Sequence, residues 1–63
     1  MDSPEIEVGN MYIVPGGAVR IVTEVFDRKA RVKIFECGHS YNELWYITEL
    51  LMPIAANLYV KVR

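Results

Sequence analysis

The residues best equipped for chemistry in this chain are Cys37 and His39, set one glycine apart in the run Cys37-Gly38-His39. Thiolate and imidazole are both zinc ligands, and an intervening glycine lets the chain fold back so that two ligands converge. A structural zinc takes about four ligands, whereas the chain holds one cysteine and one histidine. Only two copies pooling their pairs would complete such a site, so no metal site is assigned. The same pair reads as a thiol nucleophile and its base, with Asn42 or Glu43 to orient the imidazole. Residues two apart at a strand end seldom place a base in line with its nucleophile. No catalytic residue is assigned, and the chain is expected to be non-catalytic and to need no cofactor. The plainer reading of Cys37-Gly38-His39 is a β-turn with an incidental thiol and imidazole.

No phosphate-cradling Gly-x-x-x-x-Gly-Lys run occurs, and Pro15-Gly16-Gly17 reads as a turn. The carboxylates are scattered, so no acid–base pair stands out. The cations are not scattered. Residues 20–33 carry Arg20, Arg28, Lys29, Arg31 and Lys33 against Glu24 and Asp27, while residues 1–7 carry Asp2, Glu5 and Glu7 with no base. A net charge of −1 excludes a general polyanion-binding footprint but leaves room for one local basic hairpin.

By strand alternation, Arg20, Arg31 and Lys33 are expected on one outward face with Phe26 and Phe35, and with Trp45 or Tyr46 beside them. Two partners fit such a face. A protein surface would be gripped by Arg20, Arg31, Lys33, Phe35, Trp45 and Tyr46. A single-stranded nucleic acid would lay phosphates on Arg20, Arg28, Lys29, Arg31 and Lys33 and stack bases on the rings. The alternative without a partner is a solvated face whose cations discourage edge-to-edge strand pairing. Tyr12, Tyr41 and Trp45 offer a further option, an aromatic cage for a methylated cation.

The elements that must position these residues are short strands. Residues 1–8 read as an N-terminal arm, partly disordered, and residues 9–63 as one domain. Gly9-Asn10 is a turn, Met11 to Val14 a β-prone run, and Ala18 to Phe26 an alternating strand with Val19, Ile21, Thr23 and Val25 toward the core. Ala30 to Glu36 alternates again with Val32 and Ile34 inward, and the polar break Asp27-Arg28-Lys29 makes the two runs a hairpin. Glu43 to Thr48 is a fourth strand and Leu58 to Val62 a fifth. Between them Glu49-Leu50-Leu51-Met52 forms one helical or 3₁₀ turn, ended by Pro53. No segment sustains an i, i+3, i+4, i+7 apolar pattern over three turns.

In this order of elements the chain resembles an SH3-like barrel. The resemblance is carried by Gly9-x-x-Tyr12, Gly17-Ala18-Val19-Arg20-Ile21-Val22, Ala30-Arg31-Val32-Lys33-Ile34-Phe35, Leu44-Trp45-Tyr46-Ile47 and Glu49-Leu50-Leu51-Met52-Pro53. It implies an all-β fold, a small five-stranded barrel with one short 3₁₀ turn. Barrels of this shape include peptide-binding domains, Tudor and chromo-barrel modules, ribosomal modules and small phage or plasmid proteins. The acidic first loop, the paired tryptophan and the closing proline–tyrosine pattern of true SH3 domains are missing here.

Apolar residues make up 52% of the chain, a surplus for a domain this small, which points to self-association or a protein partner. A lone cysteine suits a reducing compartment, and no apolar run approaches the roughly 20 residues of a membrane span. The expectation is a cytoplasmic interaction module, probing a protein partner first and nucleic acid second, with no membrane contact.

Overall fold

The computed structural model describes residues 6–62. Five strands and one helix follow in the order β1 (Met11–Ile13), β2 (Val19–Val25), β3 (Lys29–Glu36), β4 (His39–Tyr46), α1 (Ile47–Ala55) and β5 (Val60–Lys61). The strands form one sheet in the order β4-β3-β2-β1-β5, antiparallel throughout. The all-β expectation holds at the level of the sheet.

Turn chemistry sets the hairpins. Gly16 and Gly17 both take positive φ (96° and 93°) between β1 and β2, which a side chain would resist. Glu36 pairs with His39, so Cys37 and Gly38 alone make the β3–β4 turn. Their φ values of 51° and 80° give it positive φ at both central residues, the twist that matches two right-handed strands.

The second strand departs from its expected facing. Tyr12, Arg20 and Ile34 lie opposite one another across three strands, as do Val22 and Val32, so Arg20 and Val22 face the core. Val19 and Ile21 face the other way. The register shifts between Val22 and Glu24, where Thr23 forms a bulge, and beyond it Val25 opposes Ala30 while Glu24 opposes Arg31. One inserted residue reverses the alternation, so a strict two-residue period assigned the first half of β2 to the wrong side. On β3 the expected inward residues, Val32 and Ile34, are buried.

The core comprises Ile6, Tyr12, Val22, Ala30, Val32, Ile34 and Leu50, with Trp45, Ile47, Leu51, Ile54 and Tyr59 packed against it. Ile6 belongs to the stretch read as an arm, yet it is buried; residues 1–5 of that arm lie outside the described residues. Residues 7–10 are held to β2 by Gly9 N–H to Val22 O (2.8 Å) and Val22 N–H to Asn10 O (2.9 Å).

Two further expectations are corrected. The short 3₁₀ turn is a nine-residue α-helix that runs through Pro53. Its signal is in the sequence: Ile47, Leu50, Leu51 and Ile54 have i, i+3, i+4, i+7 spacing over two turns, and all four turn toward the core. Pro53 removes one hydrogen bond near the helix end, and the end itself is well satisfied. Asn57 N–H reaches Ile54 O (3.0 Å) and Leu58 N–H reaches Pro53 O (2.8 Å), with Asn57 at φ 61°. That is a Schellman termination with asparagine in the left-handed position. The closed barrel is also not formed. β4 and β5 are opposite edges of the sheet, and β5 has two residues, too few to reach across. The helix covers the open side instead, burying Leu50 where closure would have placed strand against strand.

Candidate interaction surfaces

With the core on one side of the sheet, no described element covers the other side. Its residues follow from the register. Val60, Ile13, Val19 and Phe35 form one row across β5, β1, β2 and β3, ending at Ser40 on β4. The next row is Met11, Ile21, Lys33 and Asn42, and beyond it Arg31 lies beside Leu44 and Glu24. Ile13, Phe35, Leu44 and Val60 are 38%, 39%, 49% and 61% exposed. Four adjacent strands thus carry one apolar row, exposed at Val60, Ile13 and Phe35 and half-buried at Val19, an arrangement characteristic of interaction sites.

The cations of β3 edge this apolar area. Lys33 lies over the Phe35 ring at 5.5 Å, Arg31 over Phe26 at 5.8 Å, and Lys29 over Tyr46 at 5.0 Å. Arg31 also donates to Glu24 Oε1 at 2.7 Å in an exposed pair, of a kind worth about 0–1 kcal/mol. The face therefore gathers Arg31, Lys33, Phe35 and Tyr46 from the expected set, along with Phe26 and Lys29. Arg28 sits in the β2–β3 connection, where its carbonyl accepts the Ile47 N–H at 2.9 Å and ties the helix start to that turn.

Arg20 and Trp45 are not on this face. Arg20 points to the core side, and Trp45, opposite Ala30, is half-buried there. The Arg20 guanidinium carbon lies 4.4 Å from the Trp45 ring centroid and 5.5 Å from that of Tyr59. Its Nη1 donates to Tyr59 Oη at 2.7 Å. Trp45 Nε1 donates to Glu43 Oε1 at 2.7 Å, and Tyr41 Oη donates to Glu36 Oε1 at 3.1 Å. The Glu36 hydrogen bond, with smaller help from desolvation and from the Glu36 and Glu43 charges, raises the Tyr41 pKa above its usual value. The Arg20 charge opposes that shift. Tyr12 is buried and its ring lies 6.5 Å from Tyr59, so Tyr12, Tyr41 and Trp45 do not form an open cage.

Cys37 is exposed at the β3–β4 turn with His39 beside it. Among the described residues no three His, Cys, Asp or Glu side chains converge on a point that would hold a metal ion. No described helix is long and apolar enough to cross a membrane.

No protein-family model, curated relative or solved structure matches the chain.

Proposed function

We propose that the protein is a small non-catalytic interaction module that docks protein surfaces through the free face of its sheet, a second copy of the chain being the first such partner. The observation that carries this reading is the apolar row of exposed Val60, Ile13 and Phe35 with half-buried Val19 between them, which no described element covers on a domain whose core lies on the other side. The face suits a second copy because it carries Glu24 beside Arg31 and Lys33, so a rotated copy meets both signs of charge. The eight-residue edge strand β4 adds unpaired backbone donors and acceptors to which another strand can pair. The succession of four strands, a helix and a last strand returning beside the first supports the SH3-like resemblance, as an opened form of that barrel.

The experiment is solution mass by light scattering at micromolar concentration, in low and in high salt, for the full chain and for Val19→Lys. The expected result is an oligomer that persists in high salt and is lost in a folded Val19→Lys protein. A monomer at both salts overturns self-association.

A second reading rests on the three cation–ring pairs along β3. Lys29, Arg31 and Lys33 project on one side at every second residue, each beside an aromatic ring, and this pattern suits phosphates and stacked bases of a single strand. Arg20 takes no part in it. Binding to an oligothymidylate that weakens steeply with salt would favour this reading over the first.

A further inference from the structure

We propose that a second copy of the chain adds to the sheet edge-on, β4 pairing antiparallel with β4 of the other copy about a two-fold axis at Asn42. The seam rests on the self-association proposed above and gives it a strand, a register and a centre. Among the described strands β4 pairs with β3 alone, so its other side is an open edge. The eight residues from His39 to Tyr46 include no proline and no lysine, and their register with β3 runs without a bulge. Proline, lysine and bulges are the usual devices that block edge pairing. The opposite edge is protected by its shortness, β5 having two residues.

Hydrogen-bond direction follows from the ladder. Glu36 and His39 close the two-residue turn as a bonded pair, and at the far end Ile47 N–H donates to Arg28 O at 2.9 Å. Odd-numbered residues of β4 therefore bond β3, while Ser40, Asn42 and Leu44 aim N–H and C=O away from the sheet. Tyr46 N–H is taken by Glu49 Oε1 at 2.9 Å, which ends the edge at Leu44. An axis at Asn42 pairs Asn42 with its own copy and Ser40 with Leu44, so every one of these outward residues is used. On the core side it sets Tyr41 beside Glu43 of the other copy and His39 beside Trp45. A phenol meets a carboxylate, an imidazole meets an indole, and no like charges oppose each other. An axis at Glu43 would oppose two carboxylates. An axis at Tyr41 would set Leu44 against Gly38 in the turn, whose φ of 80° is not extended.

The test is amide hydrogen exchange by NMR on the full chain, at concentrations where light scattering shows an oligomer and after dilution to monomer. The Ser40, Asn42 and Leu44 N–H groups should exchange about tenfold more slowly, or slower still, in the oligomer. Those of Tyr41 and Glu43, already bonded to β3, should change little. An oligomer in which the three outward amides gain no protection overturns the seam and leaves the face contact standing. A monomer at every concentration overturns both. Protection of Ser40 and Asn42 without Leu44 places the axis at Tyr41 and overturns the register. Asn42→Pro removes an N–H that the chain's own sheet does not use, so the monomer should fold. Ser40 and Leu44 should then exchange at the dilute rate, and protection that persists in folded Asn42→Pro overturns the proposal. If that variant does not fold, Asn42→Lys, which sets two like charges across the axis, should have the same effect. Unchanged protection in Asn42→Lys overturns the seam.

Discussion

The guanidinium of Arg20 stacks 4.4 Å from the ring centroid of Trp45, on the side of the sheet that holds the core. A residue whose charge places it on the surface by any sequence rule is thus a lid over the apolar interior. Its stem lies along the core and its head is held by two rings and one hydroxyl.

Arg20→Ala should therefore destabilise the domain, although it removes a charge with no carboxylate partner among the described residues. The cation–ring contacts are worth about 0.5–2 kcal/mol and the Tyr59 hydrogen bond about 1 kcal/mol. A loss of about 1–3 kcal/mol is expected in urea unfolding. Tyr59→Phe, which removes the hydrogen bond alone, should cost about 1 kcal/mol. An unchanged midpoint for Arg20→Ala would show that the stack contributes nothing.

Val32 is fully buried between Val22 and Glu43 in the ladder. Val32→Asp sets an unpaired carboxylate in the core and a like charge beside Glu43. The cost should exceed about 3 kcal/mol, a large share of what a domain this size holds. Circular dichroism is expected to show an unfolded chain. A folded variant would contradict the facing of β3.

Tyr41 should ionise at higher pH than free tyrosine. Its hydroxyl donates to Glu36, and ionisation would set phenolate against carboxylate. The folded pKa is thus raised above the unfolded one. Any stabilisation it brings is complete below the unfolded value of about 10 and is lost as pH rises through the folded value. The difference in phenolate absorbance between the parent and Tyr41→Phe measures this titration. Glu36→Gln should move it back toward the ordinary value, and a parent titration at or below that value would refute the pairing.

The β3–β4 turn holds a cysteine in left-handed backbone, with φ 51°. Asparagine tolerates that conformation better, and Asn-Gly is the favoured pair for this turn. Cys37→Asn is expected to gain about 0.5 kcal/mol in thermal or urea unfolding. Gly38→Ala should lose about 1 kcal/mol, although an added Cβ meets nothing within 4 Å, because the strain lies in the backbone. Equal stability of Gly38→Ala and the parent would mean that the turn adopts another form.

Much of the chain could be read without coordinates. Strand alternation in Ala30 to Glu36 marked Val32 and Ile34 for the core and Arg31, Lys33 and Phe35 for the free face, because a period of two admits one division when no residue is inserted. Pro15-Gly16-Gly17 and Cys37-Gly38 marked turns, because positive φ selects for glycine. Tertiary structure decided the rest. The bulge at Thr23 reversed the facing of β2 and carried Arg20 inward, and no local pattern signals the inserted residue, because Val19, Ile21, Thr23 and Val25 against Arg20 and Glu24 read as one unbroken alternation. Trp45 had equal claims to either side until its pairing with Ala30 set it over the core. The helix overrode Pro53 because four apolar side chains on one stripe bury more surface than one lost backbone hydrogen bond costs. The chain's own residues thus determined which segments pair and which turn, while burial, a long-range quantity, decided which side of the sheet became the interior and which was left for a partner.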